Sequence, residues 1–315
     1  MVPADCLYVI AMGDAPGAVT HRSSAMVKVS AGGGGLKGLY GLTVTSLTLQ
    51  GGSRVDSYDS REGKYKKGES NGSVATNSVG RGSIRIQGGS KIEGPIFVGP
   101  EGRVEEKPAP YTANSDWTIW RDWGTTYGSA ALLARPMELP LIEFPGQVGT
   151  QDLNLNSQSK ELKPGNYRDV TISNGAKLDL APGTYIFRNL ELSGGAKIDL
   201  DGDGPVKIYI EKSFELNNGV KVSTSEVPPK LLQLYLGKDA TYTQGGGTDI
   251  SGVIYGPQSR ITMSNSATVF GAVVGDEVSL TGAATVHYDE ALGEFELGGG
   301  SSGPAGITVL FRQRF

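Results

Sequence analysis

His287 is followed by Tyr288, Asp289 and Glu290, the one place where a histidine sits among acids, and general acid–base work would be sought there first. No serine or cysteine in a nucleophile-elbow setting accompanies it, so a last strand with Tyr288 at its end explains the same residues, and no catalytic residue is named. Asp201-Gly-Asp-Gly204 sets two carboxylates two residues apart on a glycine-rich loop, with Asp199 as the nearest acid to join them. Oxygen-only ligation of that kind suits Ca²⁺, but a third loop acid and a distal glutamate are missing, and a plain tight turn between strands is the better account of the residues. Asp199, Asp201 and Asp203 are therefore the metal candidates, and no other cofactor is implied. Asp56, Tyr58 and Asp59 could hold a sugar or a metal; alternatively the acids cap a loop and Tyr58 covers a core edge. Trp117, Trp120 and Trp123 could stack on sugar rings or anchor their segment by burial. Their i, i+3, i+6 spacing with Asp116 and Asp122 predicts one short helix.

The elements that must position these groups recur along the chain. An alternating apolar segment, a small polar pair and a second alternating segment appear in Val170-Thr-Ile-Ser-Asn-Gly-Ala-Lys-Leu-Asp-Leu180 and again in Leu190-Glu-Leu-Ser-Gly-Gly-Ala-Lys-Ile-Asp-Leu200. Phe214 to Val222, Ile261 to Val269 and Val278 to Val286 continue the unit, and Leu47 to Val55 and Ile84 to Ile92 anticipate it. Residues at i and i+2 share one strand face, while Gly or Asn between them can take the positive φ of a corner. One unit cannot bury its own face. Stacking successive units at the ~4.8 Å strand spacing gives every backbone a partner and makes a continuous apolar axis, so an all-β parallel β-solenoid (β-helix) is expected. A β-sandwich also uses short strands, but it has no reason to repeat the same corner.

Composition agrees. Gly 47 and Pro 16 together make up a fifth of the 315 residues, which excludes long helices and a helical membrane span in this chain. With 29 basic and 33 acidic residues the formal net charge is -4. Phosphate tracking needs a clustered positive field, and the Lys64/Lys66/Lys67 group and the Arg312/Arg314 tail are too short to supply one, so no nucleic-acid partner is expected. Cys6 stands alone and only His21 and His287 are present, which leaves no disulfide framework and little material for histidine metal sites.

The layout follows from these signals. Residues 1–35 read as an N-terminal β-hairpin or cap, 36–105 as the first solenoid repeats and 106–150 as an irregular insertion rich in Trp and Pro. Residues 151–292 form the main solenoid, and 293–315 are a Gly-rich link with a closing strand.

The residues also resemble a family: the β-solenoid domain of unknown function found in bacterial PilX-type minor-pilin-like surface proteins. The resemblance rests on Val55-Asp-Ser-Tyr-Asp-Ser60, Pro164-Gly-Asn-Tyr167, Pro182-Gly-Thr-Tyr-Ile-Phe187, Leu190 to Ile198, Ser251-Gly-Val-Ile-Tyr-Gly-Pro257, Phe270-Gly-Ala-Val-Val-Gly275 and Val286-His-Tyr-Asp-Glu-Ala-Leu292. It covers most of residues 40–315, and the specificity lies in the order of the motifs. Bactofilins are similar at Gly82 to Gly94, a generic likeness covering little of the chain.

The resemblance implies a non-enzymatic structural protein of the bacterial cell surface, pilus-associated, fibre-forming or adhesive. An export or prepilin segment upstream of Met1 is expected with it. Pilus components or surface glycans would be its partners, and open solenoid ends or terminal strands would permit self-association. The alternative is a carbohydrate-binding or carbohydrate-cleaving β-helix protein using the exposed Asp and aromatic residues, although architecture alone does not carry that activity.

Overall fold

The computed structural model describes residues 6–13, 21–30, 36–37, 39–66, 71–104, 118–122, 124–223, 227–297 and 306–314. Among them there is no α-helix: the fold is all-β, relieved only by the short 3-10 turns Pro229–Leu231 and Glu290–Glu294. No helix of the described residues is long and apolar enough to cross a membrane. The chain divides into two units, residues 38–295 and residues 1–37 with 296–315.

The smaller unit is antiparallel. Cys6–Gly13 pairs with His21–Ser30, from Cys6 opposite Lys28 to Gly13 opposite His21. Gly306–Arg314 adds to the other edge of His21–Ser30, so the strand expected to close the chain pairs with the N-terminal hairpin. Leu36–Lys37 and Glu296–Leu297 form a separate two-stranded pair. The Asp14 to Gly17 turn and the Gly32 to Gly35 and Gly298 to Gly303 runs lie outside the described residues.

In the larger unit every described strand pair is parallel, and strands close around one apolar core in three ladders. The first ladder runs through Leu153–Asn156, Asp169–Ser173, 189–192, 213–216, Thr241–Gln244, 260–263, 277–280, 46–49, Ile84–Ile86 and Ile119–Arg121. The second runs through Ser159–Leu162, Lys177–Leu180, Lys197–Leu200, Lys221–Val222, 249–250, 268–271, Thr285–Asp289, Arg54–Tyr58, 91–92 and 126–127. The third runs through Gly165–Asn166, 183–187, 206–210, Leu232–Leu236, 253–256, 272–275, 42–44, Val74–Thr76, 95–98 and 129–132.

Period-two alternation sends one residue in two inward. Ile172, Leu192, Leu216, Met263, Leu280, Leu49 and Ile86 fall on one buried register line, because each parallel pairing preserves which face a residue occupies. Gln244 interrupts that apolar line yet is satisfied there: its amide donates to the carbonyls of Thr248 and Thr268, and its oxygen accepts from the Tyr242 hydroxyl.

The corner between the first and second ladders is the polar pair of the repeat. Asn174/Gly175, Gly194/Gly195, Asn218/Gly219, Gly246/Gly247, Asn265/Ser266, Gly282/Ala283, Gly51/Gly52 and Gly88/Gly89 all have positive φ. The corners are themselves hydrogen-bonded. Gly175 N–H donates to Gly194 O, Gly195 to Asn218 O, Gly219 to Gly246 O, Gly247 to Asn265 O, Ser266 to Gly282 O, Ala283 to Gly51 O and Gly52 to Gly88 O. Beyond the last corner the Asp122 carboxylate accepts from Gly88 N–H. That series also gives the stacking order, which is not the chain order: strand 268–280 is followed by Leu42–Leu49, so the repeats of 36–105 lie beyond those of 151–292.

Part of the segment read as an irregular insertion belongs to the stack. Ile119–Arg121 pairs with Ile84–Ile86, and Thr126–Leu132 pairs with Lys91–Val98 across a register shift between Tyr127 and Ser129. The expected tryptophan helix is therefore corrected at Trp120, which lies on the first of these strands; Trp117 and Trp123 are outside the described residues. Ile119 decides the matter physically, since only an extended backbone both buries it in the core and gives Ile84–Ile86 its ladder partner.

Residues 133–152 then run without strands from the 126–132 end of the stack to the 153–166 end. Outward-facing residues of the third ladder form one register line, Phe97, Ala75, Thr43, Val274, Tyr255, Tyr235, Tyr209, Ile186 and Asn166, and this segment straps across its Tyr255 to Asn166 part. Asn77 holds Met137 by two bonds, its Nδ2 to the Met137 carbonyl and its Oδ1 from the Met137 N–H, each at 2.7 Å. The Tyr255 hydroxyl donates to Pro140 O at 2.7 Å, and the Phe144 ring packs 5.6 Å from that of Tyr209. Tyr255→Phe should therefore cost about 1 kcal/mol, one hydrogen bond with its acceptor left near solvent, read as a lowered urea midpoint. An unchanged midpoint would show that the strap contributes no stability through this bond.

Candidate functional site

The second ladder brings together two of the sequence's acidic clusters, those of Asp56 and of Asp289. Thr285–Asp289 stacks on Arg54–Tyr58 with His287 opposite Asp56, Tyr288 opposite Ser57 and Asp289 opposite Tyr58. Val286 and Val55 enter the core, so their neighbours His287 and Asp56 must face outward, where they would be solvated if nothing covered them. The excursion after Tyr58 covers them: Asp56 is 0% exposed and His287 8%.

Asp56 is the hub. Its Oδ1 contacts His287 Nδ1, and its Oδ2 accepts from the Tyr65 hydroxyl at 2.7 Å. Arg54 Nε lies 2.9 Å from the same Oδ2 as an ion pair without hydrogen-bond alignment, and Arg54 Nη2 reaches Glu93 Oε1 at 3.3 Å. The Tyr65 ring stacks on the imidazole at 3.7 Å, with Phe270 at 5.0 Å. Burial and the Asp56 carboxylate both hold the Tyr65 phenol well above its ordinary pKa, so it stays a neutral donor.

A second set of bonds ties the same excursion down. Ser57 Oγ donates to Glu290 Oε1 at 2.7 Å and accepts from Asn71 N–H, while Asn71 Nδ2 also donates to Glu290 at 3.0 Å. Asp289 Oδ1 accepts from Ser60 N–H and from Ala291 N–H, the latter capping the 3-10 turn.

Chemically, the histidine is packed against two aromatic rings that also touch each other, with Nδ1 committed to a carboxylate, and no hydroxyl or thiol nucleophile is bonded to it among the described residues. The arrangement suits a buried junction that joins strands remote in sequence. Asp56 and Tyr58, expected as ligand contacts, are both buried, Tyr58 at 3% exposed. Asp59 lies outside the cluster and is paired with Arg61, which bonds both its oxygens and pulls its carboxyl below the usual range. Trp120 is half-buried and in register with Arg85.

The metal candidates separate. The Lys177 ammonium sits between Asp179 at 2.8 Å and Asp199 at 3.2 Å. Asp201 and Asp203 are exposed. Among the described residues no group of three His, Cys, Asp or Glu side chains is placed to hold a metal ion.

A charged series on the first ladder gives a pH prediction. Arg168 bonds Asp152, and Arg188 with Asn189 bonds Asp169. Hydrogen bonding from Arg168 pulls the Asp152 carboxyl down to about 2 from 3.8. A depressed folded-state pKa means that the stabilisation is complete above the unfolded value and is lost as pH falls from there towards about 2. Both partners are at the surface, so the effect is small. Urea midpoints should fall across that window, with Asp152→Asn flattening the decline; an identical slope in the variant would refute the assignment.

Arg54, Glu93 and Phe270 lie in repeat or resemblance motifs that do not single them out as site residues, and Tyr65 lies in none. One signal was available: aligning the corners of Gly282 and Gly51 puts Val286 over Val55, and hence His287 over Asp56.

Compared with known proteins, residues 145–295 match the model of a domain of unknown function (DUF7305). No curated protein matches. Among solved structures, the competence-associated pilin ComZ from Thermus thermophilus is similar at 11% sequence identity, over 98% of this chain and 81% of that one, with a TM-score of 0.26. At that score the likeness carries no structural argument.

Proposed function

We propose that this chain is a non-enzymatic structural protein of the bacterial cell surface, its 38–295 unit a parallel β-solenoid that works among pilus components or in a fibre. The observation behind the reading is the continuous corner series from Gly175 to Gly88, in which every bond passes from one turn to the next. Such a stack is stiff because bending it stretches many backbone bonds at once, a mechanical property rather than a chemical one. The buried and committed state of His287 supports a structural role for the one histidine among acids. The motifs between Pro164 and Leu292 that resemble the pilin-like surface family lie inside the stretch matching the domain of unknown function. Export to the surface follows from this reading.

Immunogold labelling of intact cells of the source bacterium, with fractionation alongside, tests it. Label on the envelope or on filaments is expected, and protein confined to the cytosolic fraction overturns the proposal.

A further inference from the structure

Within the strap-covered line of the third ladder, Tyr209, Tyr235 and Tyr255 stand on consecutive turns in strict register. Their ring geometries differ. Tyr209 and Tyr235 are stacked, with centroids 4.7 Å apart and planes 15° from parallel, whereas Tyr235 and Tyr255 meet edge-on at 6.4 Å and 70°. Parallel pairing permits the first arrangement, since identical residues in register leave the backbone along the same direction and their rings can lie one above the other at the strand spacing; the Tyr255 ring, whose hydroxyl is bonded to Pro140 O, stands edge-on instead. Tyr58 and Tyr65 are also neighbours, but their planes cross at 86° and 6.0 Å.

We infer that Tyr209 and Tyr235 form an oxidative modification site, at which a one-electron oxidant joins the two turns through a dityrosine bond. Each phenol gives one electron to the oxidant and one proton to water, leaving a phenoxyl radical with spin on the carbons ortho to oxygen. Two such radicals combine to make a Cε–Cε bond, giving a bis-dienone, and transfer of the two ring hydrogens to its carbonyl oxygens restores both phenols. The net change is two electrons and two protons lost, with no other atom gained or leaving. Tyr209 is half-buried and is the entry point for a diffusible oxidant, and Tyr235 lies in contact beneath it. The product would be a covalent tie between strands 206–210 and Leu232–Leu236, which are joined otherwise only by ladder hydrogen bonds and packing. Nothing in this inference depends on where the protein resides.

Photo-oxidation of the purified full chain with ruthenium tris-bipyridyl and persulfate tests the site. Dityrosine fluorescence should rise while the chain stays monomeric on a denaturing gel. Tryptic digestion should then yield one joined peptide, residues 208–212 linked to residues 231–238, at the summed mass less two hydrogens; each of these peptides contains a single tyrosine. Tyr209→Phe and Tyr235→Phe should each reduce that fluorescence to background, and Tyr255→Phe should leave it unchanged. Absence of the joined peptide, or its replacement by one containing Tyr255, overturns the inference. So does fluorescence that survives in Tyr209→Phe.

Discussion

Asp56→Ala should destabilise the full chain by about 3–5 kcal/mol, the range seen when one partner of a buried charge pair is removed and the other is left without compensation. The figure follows from how many groups depend on this carboxylate. Arg54 would keep only the 3.3 Å contact to Glu93, the Tyr65 hydroxyl would lose its acceptor, and His287 would lose its Nδ1 partner while still stacked on the Tyr65 ring. Asp56→Asn should cost less, because the amide oxygen can still accept from Tyr65 while the negative charge facing Arg54 is gone. The single variants and the Asp56→Ala/His287→Ala double variant, compared in urea, should show a coupling energy of at least about 1 kcal/mol. A loss below about 1 kcal/mol for Asp56→Ala would mean that the cluster is relaxed in solution and does not hold the junction.

The position of that junction explains which parts of the fold could be read from residues alone. The corners were legible because each demands the same local chemistry, a small residue at positive φ between alternating strands, and that demand is met inside each repeat. Neighbour order was not legible in the same way. Interchangeable corners permit many stacking orders, and the one adopted is chosen by groups outside the repeat, such as His287 meeting Asp56 and Phe270 meeting His287. Asp56 and His287 were therefore each recognisable as chemically unusual, yet the contact between them required knowing that Thr285–Asp289 stacks on Arg54–Tyr58. Tyr65 was hidden for a related reason: it comes from the excursion that covers the ladder, where no periodicity operates.

The stretch from Ile119 to Leu132 went unread because Thr126-Tyr-Gly-Ser-Ala-Ala-Leu132 has few β-branched residues and is a strand by virtue of pairing with Lys91–Val98. The strap shows the opposite failing. Leu139, Ile142, Phe144, Gly146 and Val148 are half-buried among exposed neighbours, a near-alternation visible in the sequence, but its proline content had marked it as irregular.

The corners themselves carry the second large effect. At their first position, in stacking order, the chain has Asn174, Gly194, Asn218, Gly246, Asn265 and Gly282, followed by Gly51 and Gly88. A Cβ at Gly194, Gly246 or Gly282 would meet the backbone nitrogen of the asparagine on the preceding turn, at 3.1, 2.7 and 3.2 Å respectively. The backbone of the preceding turn fills the space at these glycines, and it does so also where no asparagine precedes: Gly282 N lies 3.2 Å from a Cβ on Gly51, and Gly51 N lies 3.0 Å from one on Gly88. At the second position nothing lies within 4 Å of a Cβ on Gly175, Gly195, Gly219 or Gly247, and Ala283 shows that the stack accepts a methyl group there. Gly246→Ala and Gly247→Ala thus share the left-handed backbone penalty, about 1–2 kcal/mol each, with φ of 66° at both residues. Gly246→Ala alone must also push the Asn218 backbone aside, and overpacking of this kind adds about 1–3 kcal/mol. Urea unfolding of the two variants should separate them by that increment, with Gly246→Ala the less stable. Equal stabilities would mean that the turns are not stacked as tightly as the 2.7 Å approach requires.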